Sequence, residues 1–376
     1  MGSIAVSDER QWWMAWSQVP GVGPILLKRV FLHFGSLARA WSAPVEELRR
    51  VEGIGEASAA AIAAHCRQHN PLATEPSDRD LAYVTPADAA YPALLFEIAD
   101  PPPVLYYRGN LSLLGDCQRR AGVGIVGTRS PSEYGKRWTQ RLSTALSRAG
   151  FPIISGLAEG VDREAHRSCL DAGGHTIAVL GTGPDVVYPR RNLDLYRDIA
   201  TAGLLLSEYP PGTQPDRVHF PRRNRIIAGL SRAVLVTEAP ERSGALITAR
   251  LANDYGRDVY ALPGSLDNPR CYGCLALVNT GAQLILGEHL LIEALGGIPL
   301  EAEPVAQQTE LPLIPPQLDP PLDLVFANVP TEATPLDVIV QRSDRLTTGD
   351  ILSALVQLEL MGLVTQLPGM QYQRCS

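Results

Sequence analysis

No run of about 18 apolar residues occurs anywhere in the 376-residue chain, so no transmembrane helix is expected. Cysteine is scarce. Six thiols scattered over the whole length do not make a disulfide framework, and a reducing cytoplasm is the expected home. The opening MGSIAVSDERQWWMAW carries acids and lacks a small-residue cleavage site behind an apolar core, so it is not a secretion signal. There is no G-x-x-x-x-G-K-[ST], hence no P-loop and no expected NTPase activity. Gly122, Gly124 and Gly127 match the dinucleotide fingerprint only literally, because an apolar strand lies inside the pattern instead of before it. Asp162, Glu164 and His166 have no second cluster at metal-ligand spacing, and Asp162 suits the first turn of a helix following Gly160. Cys271-x-x-Cys274 lacks a partner pair and reads as two ordinary thiols. No cofactor and no metal are expected. The formal net charge of −7 argues against a protein coated in nucleic acid, yet leaves room for a local basic groove.

What is present has a clear order. The length suggests two or three domains. Residues 1–76 are helical and hold two similar hairpins, Val19-Pro-Gly-Val-Gly-Pro and Val51-Glu-Gly-Ile-Gly-Glu, each followed by a helix. This is the helix-hairpin-helix (SAM-like) pattern, in which glycine permits the turn and helix amides can hold a phosphate. Lys28 and Arg29 favour such contact at the first hairpin, whereas Glu52 and Glu56 oppose it at the second, so DNA contact and a docking role both stay open. A Pro-rich approach over 81–108 ends in a strand near 104–107 and is expected to wrap the next domain as extended chain.

Residues 78–297 alternate strands (123–126, 152–155, 176–180, 204–207, 233–236, 259–262) with helices (132–149, 161–172, 193–200, 221–229, 245–255). The expected fold class is α/β, an extended Rossmann-like doubly wound sheet with its site at the carboxyl ends of the strands. The turns 127–129, 155–162, 181–192, 207–212 and 238–245 should converge on one mouth. A Pro- and Gln-rich linker over 298–324 leads to a C-terminal winged-helix domain, 325–376, whose second helix, TGDILSALVQLELM, carries two acids and no Lys or Arg. Partner binding or simple packing suits that helix better than reading a DNA groove.

The stretch from Phe220 to Ala249, FPRRNRIIAGLSRAVLVTEAPERSGALITA, organises the chain. It sets a cationic cluster on an apolar helix face, then a buried strand, then Ser243-Gly244 opening another helix. With Arg129, Arg190 and Tyr188 it makes an edge of arginines and aromatics, charge for phosphates and rings for unstacked bases. The opposing reading pairs these arginines with Asp185, Asp194, Glu208 and Glu238 on a solvated surface.

The strings GIVGTR, ISGLAEGVDREAH, AVLGTGPDVVYPRRN, SEYPPGTQPDRVHFPRRNRIIAGLS and LVTEAPERSGALITARLANDYGRDVYALPG closely resemble the DprA (Smf, DNA-processing protein A) family. The resemblance covers most of 80–290 and implies a non-enzymatic, homodimeric protein of natural transformation. Such a protein binds and protects single-stranded DNA and loads the RecA recombinase onto it, with no membrane partner. Carried over residue by residue, it implies DNA-pocket roles for Gly127, Arg129, Arg190, Phe220, Arg222, Asn224, Arg225, Ser243 and Gly244. The alternative is a nucleotide-binding enzyme of the phosphoribohydrolase (lysine-decarboxylase-like) type, but its PGGxGTxxE signature is absent.

Overall fold

The computed structural model describes residues 6–69, 82–119, 122–296, 319–343, 346–361, 363–367 and 369–374. It divides into two compact units, Met1–Glu301 and Ala302–Ser376. No helix among the described residues is long and apolar enough to cross a membrane.

The first unit opens with five helices: α1 (Val6–Ser17), α2 (Pro24–Phe34), α3 (Leu37–Trp41), α4 (Val45–Leu48) and α5 (Glu56–Gln68). Both hairpins use their glycines in the same way. Gly21 and Gly53 take the left-handed turn at φ +81° and +91°, and Gly23 and Gly55 then stand extended as N-caps of α2 and α5. Trp13, Trp16, Leu27, Val30 and Leu37 fill the core between these helices, and Trp16 Nε1 donates to Leu37 O at 3.0 Å.

The sheet comprises β1 (Tyr83–Val84), β2 (Leu105–Gly109), β3 (Val123–Val126), β4 (Ile153–Ser155), β5 (Thr176–Leu180), β6 (Leu204–Ser207), β7 (Ala233–Val236), β8 (Asp258–Ala261) and β9 (Gln283–Leu284). Its order is β1-β2-β6-β5-β4-β3-β7-β8-β9. From β6 to β9 every pairing is parallel. Strands β3 to β7 are buried on both faces, which is why they read as unbroken apolar runs. The Pro-rich approach does more than wrap: its α6 (Ala93–Glu97) packs on the sheet's helical layer, and β2 pairs antiparallel with β6.

Side chains alternate across the sheet. Val126, Val234 and Val236 face α11 (His219–Leu230), α12 (Ala245–Asp254), α6 and α7 (Ser112–Arg119), with α13 (Tyr272–Asn279) completing that layer. Ile125, Ile153 and Leu235 face α8 (Glu133–Arg148), α9 (Val161–Asp171) and α14 (Glu288–Gly296) on the other side, while α10 (Leu193–Ala202) covers β5 and β6. Gly124 lies inside β3, where a Cβ would come within 2.8 Å of Ser231 Oγ; its smallness serves packing, not a dinucleotide turn. The chain proceeds from β3 outward to β6, then returns to place β7 on the other flank of β3. The crevice between β3 and β7 is thus the switch point, where an open α/β sheet offers a site.

The second unit has α15 (Leu322–Asn328), β10 (Thr334–Pro335), α16 (Leu336–Arg342), α17 (Thr348–Leu360), β11 (Val364–Leu367) and β12 (Gln371–Arg374), with strand order β10-β12-β11. This is a winged helix. Thr347 and Asp350 form a reciprocal capping box at the start of α17. Helix α15 begins inside the stretch read as linker, because Pro321 occupies its N-cap position.

Candidate functional site

Four of the five turns read from the sequence converge, while the turn over 207–212 contributes no lining residue. The four enclose an open cleft of about 660 Å³ at the switch point, lined from the β3 turn by Gly127–Arg129, from the β4 turn by Ala158 and Asp162, and from the β5 turn by Tyr188. The β6–α11 segment adds Arg217, Phe220, Arg223 and Asn224, and the β7–α12 loop adds Arg242, Ser243 and Gly244.

Each wall is held by specific contacts. The β3 turn is sewn to both neighbours: Thr128 N donates to Glu238 O at 2.7 Å, and Val161 N donates to Thr128 O at 3.1 Å. A Cβ on Gly127 would lie 2.6 Å from Val161 Cγ2, so only glycine lets these turns close. Asp162 is buried and accepts from Gly156 N at 3.1 Å and Ala158 N at 3.4 Å, fixing the β4 turn. Burial pushes its carboxyl above the usual range, opposed by the Arg223 charge and by those amides. Arg223 is itself buried beneath the cleft, donating to Gly156 O at 2.6 Å and to Val179 O. Burial lowers its guanidinium to about 10. Gly156 makes room for it, since a Cβ there would sit 2.4 Å from Arg223 Nη2.

The aromatic side of the cleft is Tyr188 and Phe220, with ring centroids 5.3 Å apart and Tyr188 42% exposed. Phe220 lies flat against Gly181, and Arg129 stands 6.0 Å above its ring. Opposite, Asn224 Nδ2 donates to Gly244 O at 3.3 Å and ties α11 to the loop before α12. A Cβ on Gly244 would meet nothing within 4 Å, so this glycine leaves open space facing the cleft.

The charge balance is uneven. Arg129, Arg217 and Arg242 line the cleft, are exposed, and make no ion pair among the described residues. The acids that could have neutralised the edge are engaged elsewhere: Asp185 accepts from Gly212 N, Asp194 pairs with Arg163 and Arg167, and Glu238 accepts from Ser132 N and Oγ. Among the described residues Asp162 is the one carboxylate on the wall. No group of His, Cys, Asp and Glu among them could hold a metal.

The sequence model of DNA recombination-mediator protein A matches residues 82–296, and that of the DprA winged helix domain matches residues 312–370. The Smf protein of Synechocystis is 47% identical over 98% of this chain and 99% of its own. The chain belongs to the DprA/Smf family. Among solved structures, DprA of Streptococcus pneumoniae is similar at a TM-score of 0.66 and 34% identity, covering 79% of this chain and 99% of that one. A DprA of Helicobacter pylori, described for its single-stranded DNA binding mode, is similar at a TM-score of 0.52 and 33% identity, over 57% of this chain and 96% of that one.

Within this DprA-family fold the residues expected at the pocket separate into three groups. Gly127, Arg129, Phe220, Asn224, Ser243 and Gly244 meet at the cleft. Arg190 and Arg222 are exposed and free of ion pairs among the described residues, but lie outside the lining. Arg225 does not face the cleft, which corrects its assignment. Its side chain is 4% exposed, donates to both oxygens of Glu208 at 2.9 Å, and pairs through Nε with Asp100 Oδ2 at 2.9 Å. Among the described residues this is the one place where an expected arginine is neutralised by an acid of the opposing reading. Its neighbour Arg223, a member of the cationic cluster in the sequence but not among the pocket residues the resemblance implies, is the buried cation at the cleft. Arg217 and Arg242 were also missed. Arg242 directly precedes Ser243-Gly244, a signal that was available; Arg217 carries none beyond lying in a family-like string.

Proposed function

We propose that this protein binds single-stranded DNA in the switch-point cleft and acts as a recombination mediator, protecting the strand and loading the RecA recombinase onto it as a homodimer. The observation that carries the reading is the cleft itself: three uncompensated arginines around Tyr188 and Phe220. Arginine forks suit phosphate oxygens, and exposed rings reward bases that are not already stacked in a duplex. The Helicobacter pylori relative, described for single-stranded DNA binding, supports the same ligand class. The cleft is suited to holding rather than cutting. The phosphoribohydrolase alternative calls for a catalytic carboxylate beside the phosphate loop, whereas Asp162, the one lining carboxylate among the described residues, is buried against two backbone amides.

Fluorescence anisotropy with labelled single-stranded and duplex oligonucleotides across a salt series tests this. The lining arginines, with Arg190 and Arg222 at the approach, make three to five cations, which at about 0.7 per phosphate give a log–log slope of about −2 to −3.5. Preference for the single strand with that slope is expected. Absence of binding at low salt, or equal binding to duplex, overturns the reading.

A further inference from the structure

The chain has two lysines, Lys28 and Lys136. Lys28 lies on the first hairpin helix, where a phosphate contact was conceivable, but it points elsewhere. Its ammonium donates to Phe96 O at 2.7 Å, Glu97 O at 3.1 Å and Ile98 O at 2.9 Å, the last carbonyls of α6 and its C-cap. A cation there satisfies orphan acceptors and meets the negative end of the helix. Arg29, half-exposed, is engaged by the second hairpin, donating to Glu52 O at 3.1 Å and pairing with the Glu52 carboxylate at 3.5 Å. Phe96 is edge-on to Trp13 and Phe31, so α6 is gripped by α1 and α2 through rings as well as charge. Helix α6 in turn grips α11. Gly229 of α11 is flush against Leu95 and Ile98, where a Cβ would come within 2.7 Å of Leu95 Cδ1. Two residues beyond Ile98, Asp100 binds Arg225 through both its side chain and its carbonyl. Arg225 is the back of the helix whose other face carries Phe220, Arg223 and Asn224 into the cleft.

We propose that the N-terminal helical domain is a positioning element for the DNA cleft, acting through Lys28, α6 and the Asp100–Arg225 pair, and is not a second DNA-contacting surface. The proposal rests on the single-strand reading of the cleft. Contiguity of packed elements is its physical basis, and coupling is what has to be measured.

The experiment compares the full-length wild type with Lys28→Met, Lys28→Arg, Asp100→Asn and Arg50→Glu by anisotropy on a single-stranded oligonucleotide across a salt series at 25 °C, with melting curves alongside. Lys28→Met should weaken binding about fivefold or more, the low end of typical inter-site coupling, with the salt slope unchanged. Lys28→Arg, which keeps a donor for the α6 carbonyls, should restore most of the affinity. Arg50, an exposed cation beside the second hairpin, is neutral on this account, and Arg50→Glu should bind like wild type. A fall in slope of about 0.7 for Lys28→Met, or lost affinity in Arg50→Glu, means the hairpins touch phosphate and overturns the proposal. So does wild-type affinity in Lys28→Met with a lowered melting point, because the docking is then structural alone. Should Lys28→Met fail to fold, Asp100→Asn leaves the hairpins untouched; wild-type affinity there overturns the proposal equally. A wild type that binds no single strand removes the cleft reading itself, a different result from a wild type that binds and variants that bind alike.

Discussion

Arg225 and Arg129 look interchangeable as cations of one edge, and the structure places them differently: Arg225 is buried in an ion-paired cluster, Arg129 stands exposed on the cleft wall. Replacing Arg225 with Met keeps the aliphatic stem and deletes the charge. It leaves Glu208, whose side chain is 9% exposed, and Asp100, at 33%, facing each other without the guanidinium that joins them. Removing one partner of a buried pair costs about 3–5 kcal/mol, because the remaining charge has neither water nor counterion. At roughly 2–4 °C per kcal/mol for a unit of this size, the melting midpoint should fall by about 6–20 °C. Arg129→Ala removes an exposed side chain with no ion pair among the described residues, so stability should change by no more than about 0.5 kcal/mol. Its effect belongs to DNA: weaker single-strand binding, and a salt slope shallower by about 0.7. Thermal melts and salt-dependent anisotropy on both variants make a double dissociation. An Arg225→Met protein that melts like wild type yet loses one phosphate's worth of slope would refute the placement of Arg225 behind the cleft.

Two further expectations follow from the packing. Gly244→Ala should fold normally, since its methyl group meets no atom, but should weaken DNA binding by intruding on the cleft; Gly127→Ala should instead lose about 1–3 kcal/mol, because its methyl would lie 2.6 Å from Val161 Cγ2 and 2.8 Å from Glu238 O. Denaturant melts and anisotropy on the pair check this, and equal stability of both variants would contradict it. His166 is buried, accepts or donates at Nδ1 to Thr176 Oγ1 at 2.7 Å, and has no hydrogen-bond partner at Nε2; burial, aided by Arg223, holds it down at about 3. Its folded value lies below its unfolded one, so the unfolded chain binds the extra proton. Its contribution is therefore complete above about pH 6.5 and declines by about 1.4 kcal/mol per pH unit as pH falls toward 3. His166→Gln should flatten that acid limb in pH-dependent denaturation, and an unchanged limb would show that His166 does not titrate on unfolding.

What could be read in advance follows from which interactions are local. The central strands were legible because burial on both faces leaves one short apolar run per strand, and the glycine-bearing turns after them share one edge by topology alone. The capping box at Thr347 and Asp350 and the hairpin glycines are equally local. The arginines were not. In Arg222-Arg223-Asn224-Arg225 the helix turns about 100° per residue, so neighbours in sequence look in different directions. Nothing within that string says which guanidinium faces the cleft. The partners that decide it, Glu208 and Asp100, stand 17 and 125 residues away, and Asp100 arrives on the Pro-rich segment that looked like a wrapping strap. The same distance in sequence hid the role of Lys28, whose three acceptors lie 68 to 70 residues on. A cationic cluster in a sequence therefore locates an edge, while the division between cations that hold the fold and cations left for a ligand is made by distant acids. Here those acids take Arg225 and, among the described residues, leave Arg129, Arg217 and Arg242 without an ion pair, and that remainder is the best guide to where a phosphate chain would lie.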